Sequence, residues 1–175
     1  FASVMLTNRN FSLAGHQLAQ AFTYKWLSQE YGYDKIELEV TIPNSKKRID
    51  VVAHKGGQIT LFELKSLINA YADAKNGYKR GNKIAKSASA QLEGYYKLLK
   101  CVLNPVYKLA TQGKVNLTGS KSYKLFDAGP SSWYINLKHF PQGVIEYWFS
   151  FSSRQGSAQS MTYALPQRAV SDYKA

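Results

Sequence analysis

The sequence predicts one α/β domain over residues 1–175, and three observations carry that expectation. A helical apolar stripe comes first, three strand-like segments follow it, and a second helical stripe leads into further strands. In residues 12–31, Leu18, Phe22 and either Lys25 or Trp26 recur at the spacing of a buried helix face. Ser12 suits the start of that helix as a cap, and Gly32 its end. IELEVTI, residues 36–42, alternates with Ile36, Leu38, Val40 and Ile42 on one face and Glu37, Glu39 and Thr41 on the other, as in a half-buried strand. Pro43-Asn44-Ser45 turns the chain into a second strand, 48–54. Gly56-Gly57 makes a hairpin to a third, 58–66, which is apolar on both faces and therefore expected in the middle of the sheet.

Residues 67–83 are polar, basic and dotted with glycine and tyrosine, which reads as a long loop or a frayed helix start. From Ile84 to Val102 a second helix is expected, with Ala88, Leu92, Tyr95, Leu99 and Val102 on its buried stripe. Beyond Pro105, YKLFDA, SWYINL, VIEYWFSFS and MTYAL read as strands between Gly, Pro and Ser clusters. Trp133, Tyr134, Tyr147, Trp148, Phe149 and Phe151 are assigned mostly to the core, and His54 and His139 to the surface. The tail from Gln167 reads as a short helix or a disordered end.

Composition narrows the function classes. An apolar content of 45% over 175 residues is enough for a proper core, which excludes a disordered segment. No stretch of 18 uncharged apolar residues occurs and no signal-peptide pattern opens the chain, so neither a membrane span nor a leader is expected. The first residue, Phe1, reads as the start of a piece cut from a longer protein. Cys101 stands alone, which excludes an internal disulfide and a Cys-rich zinc site, and its apolar helical surroundings suggest a buried free thiol. Lys and Arg exceed Asp and Glu to give +12 and a pI near 9.7. That charge calls for a polyanionic partner: nucleic acid first, then an anionic membrane surface or an acidic protein.

The chemistry concentrates in the second and third strands. Asp50 interrupts an apolar run, and twelve residues later comes Glu63-Leu64-Lys65. Alternate strand residues share a face, so Glu63 and Lys65 point the same way. If the hairpin sets Asp50 beside Glu63, two buried carboxylates repel unless a cation lies between them. Oxygen ligands of this kind suit Mg²⁺ or Mn²⁺, with Zn²⁺ ranked behind. Lys65 beside such a site can orient a water or neutralise charge developing on phosphorus. On the helices, Gln91 and Tyr95 lie four apart on one face, as do His16 and Gln20, and a neutral His16 imidazole is a candidate ligand.

Asp50, Glu63-Leu64-Lys65 and the three-strand meander that holds them resemble the PD-(D/E)xK nuclease superfamily. Gln91-x-x-x-Tyr95 is similar to the QxxxY motif of its RecB-like branch, and His16 stands where that branch carries a metal-binding histidine. The similarity covers residues 12 to about 103, with 104–165 as a strand-rich C-terminal extension. It implies a restriction-endonuclease-like αβββαβ core, a mixed central sheet flanked by helices, and metal-dependent phosphodiester hydrolysis. It implies Asp50, Glu63, the Leu64 carbonyl and His16 as metal residues, Lys65 as the group that positions water, and Gln91 and Tyr95 as support for the site. Ile49 replaces the proline of the motif. The glycine-to-histidine spacing of some RecB-like chains is not kept, since Ser12 stands four before His16; Glu30 or Glu39 is the alternative extra carboxylate.

Lys46, Lys47 and Arg48, close to Asp50, and Tyr78, Lys79, Arg80 and Lys83 in the basic segment are candidate nucleic-acid contacts, with Tyr71, Lys75 and Lys86 beside the latter group. The expected substrate is DNA ahead of RNA. The small, basic domain looks like the toxin domain of a bacterial competition system, acting in a target cell's cytoplasm and matched by an acidic immunity protein. A restriction or repair nuclease and a tRNA-cleaving toxin are the enzymatic alternatives. A nucleic-acid-binding module with a nuclease-like fold, or a basic interaction protein, are the non-enzymatic ones.

Overall fold

A computed structural model of the chain describes residues 8–66, 77–102, 106, 107, 110, 117, 119–128 and 131–153, with their side chains except at 8–14, 77–87, 126–131 and 151–153. The first helix, α1 (Asn8–Tyr31), begins four residues before Ser12, so Ser12 lies inside it rather than capping it. Gly32 ends it in the left-handed conformation, φ +62°, that a side chain would disfavour. Trp26, not Lys25, continues the buried stripe of Leu18 and Phe22. Strands β1 (Lys35–Thr41), β2 (Arg48–Lys55) and β3 (Gln58–Ser66) form the expected antiparallel meander. Gly56 and Gly57 both have positive φ, as a two-residue type I′ hairpin turn requires.

The second helix, α2 (Gly77–Lys100), starts earlier than its sequence suggests, so 77–83 are helical rather than loop. An interior glycine such as Gly81 costs a helix about 1 kcal/mol. Burial of Ala88, Leu92, Tyr95 and Leu99 against the sheet offsets this. Cys101 lies just past the helix end and is exposed, which corrects the expected buried thiol. Strands β4 (Ser120–Ala128), β5 (Ser131–Phe140) and β6 (Val144–Ser153) complete the fold. MTYAL, the tail from Gln167 and the segment 67–76 with Tyr71 and Lys75 lie outside the described residues.

All six strands join one mixed sheet in the order β1-β2-β3-β6-β5-β4. β6 pairs parallel to β3, a pairing that needs a long crossover, which α2 and the β4–β5 hairpin supply. Set apart in the sequence reading from a core ending near 103, the last strand thus occupies the middle of the sheet beside β3. α1 packs one face over Val51, Phe62, Leu64, Ile135, Leu137 and Phe149, and α2 packs the other over Ile49, Val52, Leu61 and Val144. No described helix is long and apolar enough to cross a membrane.

β3 changes partners along its length. Its first part, through Phe62, pairs with β2, and from Glu63 to Ser66 it pairs with β6. Just before that switch, the Leu61 N–H is satisfied by the Tyr96 hydroxyl at 2.9 Å. Gly143 then leads into β6, and its carbonyl accepts from the Glu63 N–H at 3.1 Å. Gly143 has φ +97°, and a Cβ there would lie 2.8 Å from the Leu61 carbonyl oxygen. Replacing Gly143 with Ala is therefore expected to lower unfolding free energy by about 1–3 kcal/mol, measured by urea titration. An unchanged midpoint would show that this junction does not need glycine.

Candidate metal centre

The β2–β3 ladder is regular up to the pair Val51↔Phe62, and Asp50 and Glu63 are the next residues on either side. They stand where β2 and β3 part and β6 takes over. Parting strands leave backbone groups without ladder partners, and side chains take their place. The Leu64 N–H donates to Asp50 Oδ2 at 2.8 Å, and the Asp50 carbonyl accepts from Gln20 Nε2 at 3.2 Å. Asp50 is thereby locked in place while buried.

β1 brings a third carboxylate. The pairs Leu38↔Val51 and Val40↔Ile49 bracket Glu39 and Asp50. Glu39 has φ +53°, a left-handed conformation rare for a residue other than glycine and costing about 1–3 kcal/mol. That conformation switches the strand's facing. Ile36 packs with the α1-side core, whereas Val40 and Ile42 pack with the α2-side core. Leu38 is left exposed. The expected strict alternation of Ile36, Leu38, Val40 and Ile42 on one buried face is thus overturned, because a left-handed residue resets the period. Strain of this kind gathers at functional sites.

α1 supplies a candidate nitrogen ligand. His16 Nε2 lies 3.1 Å from Asp50 Oδ1 and 3.6 Å from Glu39 Oε1. Gln20, one turn on and buried, donates to Glu39 Oε1 at 2.8 Å as well as to the Asp50 carbonyl. One ligand atom from each of His16, Glu39 and Asp50 falls within 4.8 Å of the others. Of the two alternative acids, Glu39 therefore joins His16, and Glu30 does not. Glu30 lies fourteen residues along α1, roughly 20 Å away, bonded to Trp26 Nε1 and ion-paired with Lys121.

Glu63 of β3 bonds Asp50 but falls outside the group of His16, Glu39 and Asp50 whose ligand atoms lie within 4.8 Å of one another. Burial, and then its hydrogen bond to Asp50 and the charge of that neighbour, push its carboxyl up to about 9, against the pull of Lys65 and a hydrogen bond from Tyr95. Burial also works against ionisation of Asp50, but hydrogen bonds from His16, Glu63 and the Leu64 N–H outweigh it and hold Asp50 below its ordinary value. The pair thus shares one proton, carried on Glu63. Glu63 Oε2 is buried without a hydrogen-bond partner among the described residues. The imidazole and two carboxylates of His16, Glu39 and Asp50 fit a small divalent cation, and the orphaned oxygen of Glu63 stands next to the last of them, where such a charge would replace the shared proton.

The remaining expected residues are placed as follows. Lys65 is half-buried on the face of Glu63, near enough for its charge to act on that carboxyl. Gln91 Nε2 donates to the Tyr95 hydroxyl at 2.6 Å, and Tyr95 bonds Glu63, so the two helix residues form one arm holding the β3 carboxylate. Leu64 reaches the site through its N–H on Asp50. Lys46, Lys47 and Arg48 are exposed at the entry to β2, with Arg48 3.9 Å from Glu39. Tyr78, Lys79, Arg80, Lys83 and Lys86 lie in α2, and their side chains are outside the described residues.

Two histidines and one strand face depart from expectation. His54 is half-buried and bonds Glu37 at 2.7 Å, so that part of the β1 acidic face is paired. His139 is buried rather than on the surface, with its ring edge-on to Phe62, and burial depresses its imidazole to about 4. The positions that sequence reasoning did not use are Gln20 and Glu146. Gln20 carries a signal, its place four residues after His16. Glu146 carries none, because its burial depends on the neighbours of β6. Comparisons with protein-family models, curated proteins and solved structures return no match.

Proposed function

We propose that this domain is a metal-dependent nuclease of the PD-(D/E)xK type, hydrolysing phosphodiester bonds in nucleic acid. One observation carries the reading: Asp50 and Glu63 converge at the fork of β2 and β3, buried, with Lys65 on the same strand face as Glu63. Carboxylates buried together cost several kcal/mol each unless a cation or proton compensates them. The element order, with a strand parallel to β3 after α2, supports a restriction-endonuclease-like core. Here the β4–β5 hairpin is interposed before that strand.

His16, Glu39, Asp50 and Glu63 would hold Mg²⁺ or Mn²⁺, with the Leu64 carbonyl as a further candidate. When bound, such an ion polarises a phosphodiester oxygen and lowers the pKa of water. Lys65 lies on the strand face of Glu63, where it orients the attacking water and offsets negative charge developing on phosphorus. Tyr95 and Gln91 fix Glu63 in one rotamer, and Gln20 fixes Glu39 against Asp50. The exposed Lys46, Lys47 and Arg48 meet substrate phosphates. DNA is placed ahead of RNA as substrate. The proposed setting is a delivered toxin domain whose +12 charge is met by an acidic immunity protein.

Digestion of plasmid DNA and of tRNA with Mg²⁺, Mn²⁺ or Zn²⁺ tests the reading. Cleavage is expected with Mg²⁺ or Mn²⁺, lost in EDTA, and reduced about 10²–10³-fold by Lys65→Ala. Full activity in EDTA would refute it, and cleavage of one polymer alone assigns the substrate.

A further inference from the structure

We infer that the accessible β4–β5 side of the half-sheet, bounded by Trp148 of β6, binds a single strand of nucleic acid, with phosphates at Lys124 and Lys138 and a base stacked on Trp148. This rests on the nuclease reading for its purpose, but its geometry is separate from the metal centre. Strand register sets the grid. Ser120, Ser122 and Lys124 of β4 lie opposite Lys138, Asn136 and Tyr134 of β5. These in turn lie opposite Glu146, Trp148 and Ser150 of β6, and Glu146 stands beside Lys65 of β3. The intervening residues Ile135, Leu137, Ile145, Tyr147 and Phe149 fill the α1-side core. The grid therefore points to the opposite face, the one on which Glu63 and Lys65 lie.

That face is polar, basic and aromatic rather than apolar. Lys124 and Ser122 are exposed, Tyr134, Lys138 and Trp148 are half-exposed, and Asn136, Glu146 and Ser150 are buried, so the accessible part is the β4–β5 side and Trp148. α2 packs on β3 and β6 and fills the start of this face at Leu61 and Val144. Further along, Ser120, Ser122, Asn136, Lys138 and Trp148 line a hollow of about 430 Å³. Its floor is held rigid: Ser122 Oγ donates to Asn136 Oδ1 at 2.6 Å, and Asn136 Nδ2 donates to Ser150 Oγ at 2.9 Å. Glu146 is the acid of the grid. It is buried, and burial raises its carboxyl to about 7 against the pull of Lys138.

A flat sheet face with a half-exposed aromatic and flanking lysines suits bases freed from a duplex, whose π faces can stack and whose backbone can track the cations. A duplex hides those faces. The net charge of +12 supplies the long-range attraction.

Tryptophan fluorescence isolates this face. Of the three tryptophans, Trp26 and Trp133 are buried at 0% and 1% exposure, which leaves Trp148 as the one a ligand can reach. Single-stranded DNA and RNA oligonucleotides of about 10 nucleotides are titrated, in EDTA, into the full chain carrying Asp50→Asn, so that no probe is cleaved. Saturable quenching is expected, lost in Trp148→Phe with affinity retained, and weakened at least tenfold in Trp148→Ala. Lys124→Ala with Lys138→Ala is expected to lower the slope of log affinity against log salt by about 1.4, two single-strand phosphate contacts. In the wild-type background the same double change raises the KM for oligonucleotide and leaves hydrolysis of bis(p-nitrophenyl) phosphate unchanged. Binding without quenching, an unchanged salt slope, or tighter binding of duplex than of single strand overturns the inference and leaves the nuclease reading intact. Quenching and salt slope as expected, beside a wild type that cleaves nothing, support the binding face and overturn the nuclease.

Discussion

Asp50→Asn is expected to abolish metal-dependent cleavage while leaving the fold in place. Asparagine keeps an oxygen that can accept from the Leu64 N–H and an amide that can donate to His16, so the fork stays satisfied. It removes the charge that His16, Glu39 and Glu63 share as neighbours. Losing about 4 kcal/mol of transition-state stabilisation corresponds to roughly a thousand-fold in rate. Asp50→Ala should do the same to activity and in addition destabilise the protein by about 1–3 kcal/mol, because it leaves the Leu64 N–H buried without a partner. Calorimetric titration with Mn²⁺ checks the cause: the binding heat of the wild type should disappear in Asp50→Asn. Retained Mn²⁺ binding with lost cleavage would assign Asp50 a role other than ligand.

In EDTA, the wild-type protein is expected to lose stability as pH rises from about 5 to 9, and Glu63→Gln is expected to lessen that slope, most of all above pH 7. Glu63 has a raised value in the folded protein, about 9 against an ordinary 4.5. Between these limits the folded state holds a proton that the unfolded state has released, so stability falls as pH rises, by at most about 1.4 kcal/mol per unit. Below the ordinary value both states are protonated and the contribution is complete. Asp50 works in the opposite sense: its lowered value contributes stability above its ordinary 3.8 that is lost as the solution becomes more acid. The two windows barely overlap, and buried Glu146, raised to about 7, loses its proton between pH 6 and pH 9 in wild type and variant alike, so the difference between their urea midpoints at these two pH values reads Glu63. Adding Mg²⁺ should raise the midpoint more at pH 9 than at pH 6, because the cation and the Glu63 proton compete for one site. Equal pH slopes in wild type and Glu63→Gln would remove the shared proton from this account.

The hairpin from Arg48 to Ser66 was legible in the sequence because each of its signals is local. Gly56-Gly57 announces the turn, alternation sets the register, and an apolar run on both faces marks β3 as central. The convergence of Asp50 and Glu63 follows from that register alone. What could not be read depends on distant partners or on backbone conformation. No pattern in 36–42 reveals that Glu39 is left-handed, so the alternation misled about Leu38 and concealed how Glu39 turns toward His16. The early start of α2 was hidden because Gly77 and Gly81 argue against a helix that tertiary packing sustains. His139 and Glu146 look like ordinary surface residues until β6 is known to lie between β3 and β5. Cys101 misled in the other direction, since it falls just past the end of α2, two residues after the buried Leu99, and is exposed.

β3 is the single rail shared by two ladders, antiparallel on one side and parallel on the other. Each ladder is internally stiff, so the compliant point of the sheet is the switch at Phe62 and Glu63. Any tilt of one half against the other is felt there first, as a change in the gap between Asp50 and Glu63. Ions with bond lengths of about 2.1 Å and about 2.4 Å demand different gaps. If an ion is held there as proposed, its accepted size would be tied to the angle between two half-sheets, and packing changes far from the carboxylates, at Gly143 or along β6, would retune it without altering a ligand.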